Sequence, residues 1–120
     1  MFEREIKNNY LKLLRCCQHE YDKRGVQLIK RTYRFLVDHH ECVEPKWEAT
    51  AIHQSVELAR MITRELGLDA VSVASAMVFD LARSHEHVRI AAQHELGNRV
   101  GAILKELIRI SNLDTSTTSG

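Results

Sequence analysis

The chain has 120 residues and a mass of 13.8 kDa, about one domain at ~100–200 residues per domain. Apolar residues make up 44% and charged residues 28%, with one Pro and five Gly, which excludes collagen-like, proline-rich and low-complexity classes. The net charge of +1 gives no bulk drive toward nucleic acid or an anionic membrane, and the longest uncharged stretch, residues 70–79, is too short for a membrane span of ~20 residues.

Almost everything reads as helix. Phe2, Ile6, Tyr10, Leu13, Leu14 and Cys17 recur at steps of three and four, a 3.6-residue stripe. The pattern ends before Asp22-Lys23-Arg24-Gly25. A second helix carries Val26, Ile29, Tyr33, Leu36 and Val37 on one face and is expected to stop near His39-His40. Residues 41–47 read as the one irregular stretch, and Pro45 biases Glu44 away from helix. A third helix is expected from about Thr50, with Ile52, Val56, Ala59, Ile62 and Leu66 in register and Gly67 as its closing glycine.

Asp69 fits the N-cap of a fourth helix over 70–82. That helix is apolar on nearly all sides, as expected at the centre of a bundle. Ser84 is the expected cap of a short fifth helix ending at Gly97, and a sixth is expected over 99–111. No strand alternation is visible, so the class is all-α with six helices. The expected organisation is an N-terminal helix over 1–22, a helical domain over 23–112 and a disordered polar tail over 113–120.

Charge is unevenly placed. Residues 1–40 hold nine basic and five acidic side chains, residues 41–80 three basic and seven acidic. The basic third reads as a solvated helix face or as a docking surface for an anionic partner. Cys16, Cys17 and Cys42 are an odd count with an adjacent pair, a poor disulfide framework. The residues after Met1 carry acids and no apolar run, so no export signal is expected, and reduced thiols in the cytoplasm are the expected state.

Chemistry rests mainly on seven histidines. His39 and His40 end the second helix, His53 opens the third, and Asp80 lies near the end of the fourth. Imidazole and carboxylate suit divalent first-row metals, and a carboxylate on an otherwise apolar helix needs either solvent or a partner. His85-Glu86-His87 is a weak ligand pair, because residues two apart on a helix do not share a face. Trp47 reads as a core side chain or as a ring for stacking.

Residues 26–111 contain an ordered series of segments. A helix ends on His39, and Ile52-His53 follows fourteen residues on. Then come Leu68-Asp69-Ala70-Val71, Met77-Val78-Phe79-Asp80 and Glu95-Leu96-Gly97-Asn98-Arg99-Val100. The series resembles the N-terminal HD-type hydrolase domain of the RelA/SpoT family, which makes and degrades the alarmone (p)ppGpp. The resemblance implies an HD-domain-like helical bundle, a cytoplasmic setting and a role in the stringent response.

It also implies loss of the hydrolase. The family binds manganese through a histidine matched by His53 and through a His-Asp pair. Asp80 matches the Asp of that pair, but Phe79 stands where its histidine would be. The acidic pair that serves the attacking water is replaced by Arg83 and Ser84, and the basic substrate loop by Glu44-Pro45-Lys46-Trp47. A further downstream Asp has no match. Without ligands and general base, a metal-activated water is not expected. The expectation is a pseudo-hydrolase with no catalytic residue and no cofactor. His53 and Asp80 are its vestigial metal positions, and His39, Lys46 and Trp47 its residual pocket.

The family's synthetase-only members share the Phe substitution. The expected partner is therefore a (p)ppGpp synthetase domain (GTP pyrophosphokinase) in the same longer chain, of which this is the N-terminal piece. Self-association through exposed apolar surface is also expected, with no membrane and no direct nucleic-acid contact. Three alternatives stand beside this reading. One is an active HD phosphohydrolase using manganese, with ligands from His39, His53, Asp80, His85 or His87. Another is a nucleotide-binding module without turnover. The third, unrelated to the family, is a generic helical bundle for protein interaction.

Overall fold

The computed structural model describes residues 2–43 and 48–119, with side chains described over 7–39 and 52–113. Within them the protein is all-α, with no strand. The helices are α1 (Phe2–Glu20), α2 (Lys23–Val43), α3 (Glu48–Met61), α4 (Ala70–Ser84), α5 (Glu86–Leu96) and α6 (Asn98–Ser119). A π-helical turn, Ile62–Leu66, continues α3. Among the described residues no helix is long and apolar enough to cross a membrane.

Local chemistry sets the boundaries. Asp69 is extended (φ −73°, ψ 168°) and accepts the Ser72 backbone N–H at 2.9 Å, so α4 starts where a capping carboxylate is expected. Asp22 caps α2 in the same way, accepting the Gly25 N–H at 2.9 Å. Gly67 sits in the left-handed region (φ 62°) and donates its N–H to the Ile62 carbonyl at 3.1 Å, closing the π turn. Gly25 is where α2 meets the start of α4: a Cβ there would lie 2.8 Å from the Tyr21 Cβ and 3.1 Å from the Ala70 Cβ.

Several expected boundaries move. α2 runs past His39-His40 to Val43, up to the residue before the Pro-restricted Glu44. Ser84 is the last residue of α4 rather than a cap, and the extended residue between α4 and α5 is His85 (φ −139°, ψ 106°), which makes no side-chain cap. α6 continues beyond Ser111. Residues 44–47 lie outside the described part.

The most extensive contacts join α1 to α3, α2 to α4, and α6 to both α4 and α5. α4 touches α2, α3, α5 and α6, so it is the central helix. Its Val73, Ala74, Met77 and Val78 are inaccessible, alongside Leu13, Ile29, Leu36, Val56, Val88 and Leu104 from the other helices. Each fully buried aliphatic side chain of this size stabilises by roughly 1.5–3 kcal/mol. Among the described residues three hydroxyl side chains are buried with them. Thr32, Thr63 and Ser75 each donate to the carbonyl four residues back, at 2.8 Å, so none is left unsatisfied.

Candidate functional site

α4 is less uniformly apolar on the outside than its composition suggests. Its buried residues occupy one side, while Ser72, Ala76, Phe79, Asp80 and Arg83 share the remaining arc. Asp80 therefore points to solvent, with its side chain 83% exposed. Its need for a partner is met by water and by Arg83, whose guanidinium stands 3.9 Å away. That guanidinium also lies 5.5 Å from the centre of the half-buried Phe79 ring and donates to the Ser111 hydroxyl of α6 at 3.4 Å. Phe79, Asp80 and Arg83 thus form one cluster at the end of α4, and Ser84 is exposed beside it.

His53, on α3, is half-buried and faces α1. Its Nδ1 lies 3.1 Å from the Asn9 amide nitrogen. The Asn9 carbonyl oxygen in turn accepts from Arg60 at 3.4 Å, which fixes which end of the amide faces the ring. The amide nitrogen donates, so Nδ1 accepts, and the imidazole proton sits on Nε2. A metal-bound histidine has the reverse arrangement, donating its second N–H to an acceptor while the other nitrogen binds the ion. Arg60 also approaches Glu57 at 3.6 Å, while its Nε is buried without a hydrogen-bond partner among the described residues.

His39 belongs to a different contact. Its Nε2 is 3.3 Å from a Glu95 carboxylate oxygen on α5, and its ring lies against Phe35, 4.1 Å between centres. His85 and His87 approach one another, with ring centres 5.7 Å apart. Cys17 is buried, and burial pushes its thiol up to about 11, with adjacent Cys16 adding to the shift. Lys46 and Trp47 of the expected residual pocket, and the side chains of His40 and Cys42, lie outside the described residues.

The set does not fit a divalent metal. Among the described residues no three His, Cys, Asp or Glu side chains converge. Phe79 offers no donor atom, Asp80 is turned to solvent, and the His53 Nδ1 lone pair is used by Asn9.

Sequence reasoning did not find Asn9 and Arg60. The signal was present: Asn9 falls in the register of Ile6, Leu13 and Cys17, a polar side chain on the buried stripe of α1. Arg60 follows Ala59 on α3 in the same way, at the edge of the apolar face. No protein-family model, no curated protein and no solved structure matches this chain.

Proposed function

We propose that this chain is a hydrolase-like helical domain of RelA/SpoT type that has lost turnover and acts as a regulatory partner of a (p)ppGpp synthetase domain. The observation that carries the reading is the Phe79-Asp80-Arg83 cluster. Where the resembling enzymes hold a metal-binding His-Asp pair followed by acids, this α4 carries a phenyl ring and a solvent-facing carboxylate, both next to one guanidinium. The all-helical fold supports the HD-domain-like label only in that it is the right class.

The docking half of the reading is supported by α6, where Leu107, Ile110 and Leu113 are exposed by 37%, 51% and 53%. They fall at steps of three along one side of the helix, the pattern of a face that packs on another helix. Regulation of this kind needs different contacts in two states of the partner.

The test has two arms. After equilibration with Mn²⁺ and desalting, the chain retains less than about 0.1 metal per molecule and releases no pyrophosphate from (p)ppGpp. A synthetase domain of the family, mixed with it, changes its rate of (p)ppGpp synthesis, and Leu107→Glu with Ile110→Glu abolishes the change. Stoichiometric manganese with pyrophosphate release overturns the loss of turnover. An unchanged synthetase rate overturns the regulatory role.

A further inference from the structure

The outer face of α2 concentrates positive charge in a way the net charge of the chain conceals. Lys23, Arg24, Lys30, Arg31 and Arg34 are all exposed. At 100° per residue they fall within about 120° of the helix circumference, and they extend about 17 Å along it. Between Lys23 and Asp38 the helix contains no acid. None of the five makes an ion pair with another described residue, whereas Arg60, Arg83, Arg89, Arg99 and Arg109 all do.

Beside this stripe lies a hollow of about 620 Å³ between α1 and α2, floored in part by Tyr10 and Tyr33. The two rings are stacked, 3.8 Å between centres and 10° from parallel, and both are half-buried. Lys30, Arg31 and Arg34 line the same hollow, with Asp38 its one carboxylate. Arg31 also borders the neighbouring hollow with Lys23 and Arg24, so the cationic surface is continuous.

The geometry points to this surface as a docking site for single-stranded nucleic acid, with phosphates along the α2 cations and a base extending the Tyr10–Tyr33 stack. Unpaired cations at helical spacing supply the sequence-independent attraction to a phosphate chain. Aromatic rings lining the hollow beside them, here the half-buried Tyr10 and Tyr33, are the second component of single-strand sites. An anionic membrane is disfavoured because the apolar side of α2, with Leu28, Ile29, Phe35 and Leu36, is in the core and cannot enter lipid. An acidic peptide would use the cations but leave the stacked rings unused. The proposal concerns a different face from the α4 cluster and stands or falls independently of the synthetase reading.

The test is fluorescence anisotropy of a labelled oligouridylate of about 12 nucleotides against the full chain. Binding is expected to weaken with salt at a log–log slope between about −2 and −3.5, because each phosphate neutralised on a single strand contributes about −0.7. Lys30→Glu/Arg31→Glu/Arg34→Glu, all at exposed positions, is expected to lose at least about tenfold in affinity and to flatten the slope. Tyr10→Leu is expected to weaken binding at least about threefold with the slope unchanged. Circular dichroism of each variant verifies that the helices remain. No binding at about 50 mM salt overturns the proposal. So does a charge-reversed, folded variant that binds like the parent. Equal affinity for polyglutamate or for phosphatidylserine vesicles also overturns it, in favour of a protein or lipid partner.

Discussion

Replacing Asp69 by alanine removes the acceptor that starts the central helix. Its carboxylate receives the Ser72 N–H at 2.9 Å, and loss of such a cap costs about 1 kcal/mol, within a range of roughly 0.5–2. Arg99 stands 4.0 Å from the same carboxylate, but both side chains are mostly exposed, so that contact adds well under about 1 kcal/mol. Together they lower the melting temperature by about 4 °C for a domain near this size. Asp69→Asn keeps an acceptor at the cap and loses less than half as much. Thermal and urea melts followed by circular dichroism read both variants. The Ser72 hydrogen bonds, from side chain and backbone, hold the Asp69 carboxyl below the ordinary carboxylate range. A carboxyl lowered by folding stabilises fully above its unfolded value of about 3.9, and that contribution fades as pH falls through the folded value. The gap between parent and Asp69→Ala is therefore constant near neutrality and narrows only below about pH 4. An Asp69→Ala protein as stable as the parent at neutral pH would refute the capping argument, as would a gap that widened in acid.

Three further outcomes follow from other parts of the fold. Gly67→Ala meets no atom within 4 Å, so its cost of about 1 kcal/mol in a urea melt comes from the left-handed backbone alone, and a neutral result would contradict the φ of 62°. At pH 8, iodoacetamide is expected to alkylate the half-buried Cys16 first and Cys17 only on unfolding, since burial raises the Cys17 thiol to about 11; peptide mapping by mass spectrometry distinguishes them. Long-range ¹H–¹⁵N spectra are expected to show His53 with its proton on Nε2, and Arg60→Met to populate the other tautomer by freeing the Asn9 amide to turn. A parent spectrum with the proton on Nδ1 would contradict the Arg60–Asn9–His53 chain.

Much of this fold is legible in the sequence because helix periodicity and caps are local properties. The Leu13–Cys17 stripe, the Asp69 cap and the Gly67 closure all follow from neighbours within a few residues. What the sequence conceals depends on partners. The run from Ala70 to Phe79 reads as apolar on every side, and only the placement of α2, α3, α5 and α6 decides that Asp80 faces out. The end of α2 is not marked at His39-His40, which carries no stop signal of its own, and the proline acts only on Glu44. The Phe79, Asp80, Arg83 and Ser84 end of α4 was legible as a local change from apolar to charged residues. The role of His53 was not, because its tautomer is set by Asn9, 44 residues away in sequence. The cationic face of α2 lay between the two. Its count is plain in the sequence, but the absence of paired acids is a tertiary fact.

Among the described residues Thr32, Thr63 and Ser75 are the buried hydroxyl side chains, and each is hydrogen-bonded to a carbonyl of its own helical segment. Only Thr63 also bonds across to the side chains of Cys17 and Tyr21, so the bonds of Thr32 and Ser75 are not lost when one helix slides along another by a fraction of a turn. Register at Thr32 and Ser75 rests on the shapes of aliphatic side chains, which can exchange one set of grooves for the next. Polar fasteners between segments sit toward α1, at Thr63 with Cys17, at Asn9 with His53 and at the Tyr21 hydroxyl with the Leu68 carbonyl. A push applied at one end of α4 is therefore resisted toward α1 more than along α4 itself, and the central helix is the element best able to carry a small axial displacement from one end of the bundle to the other.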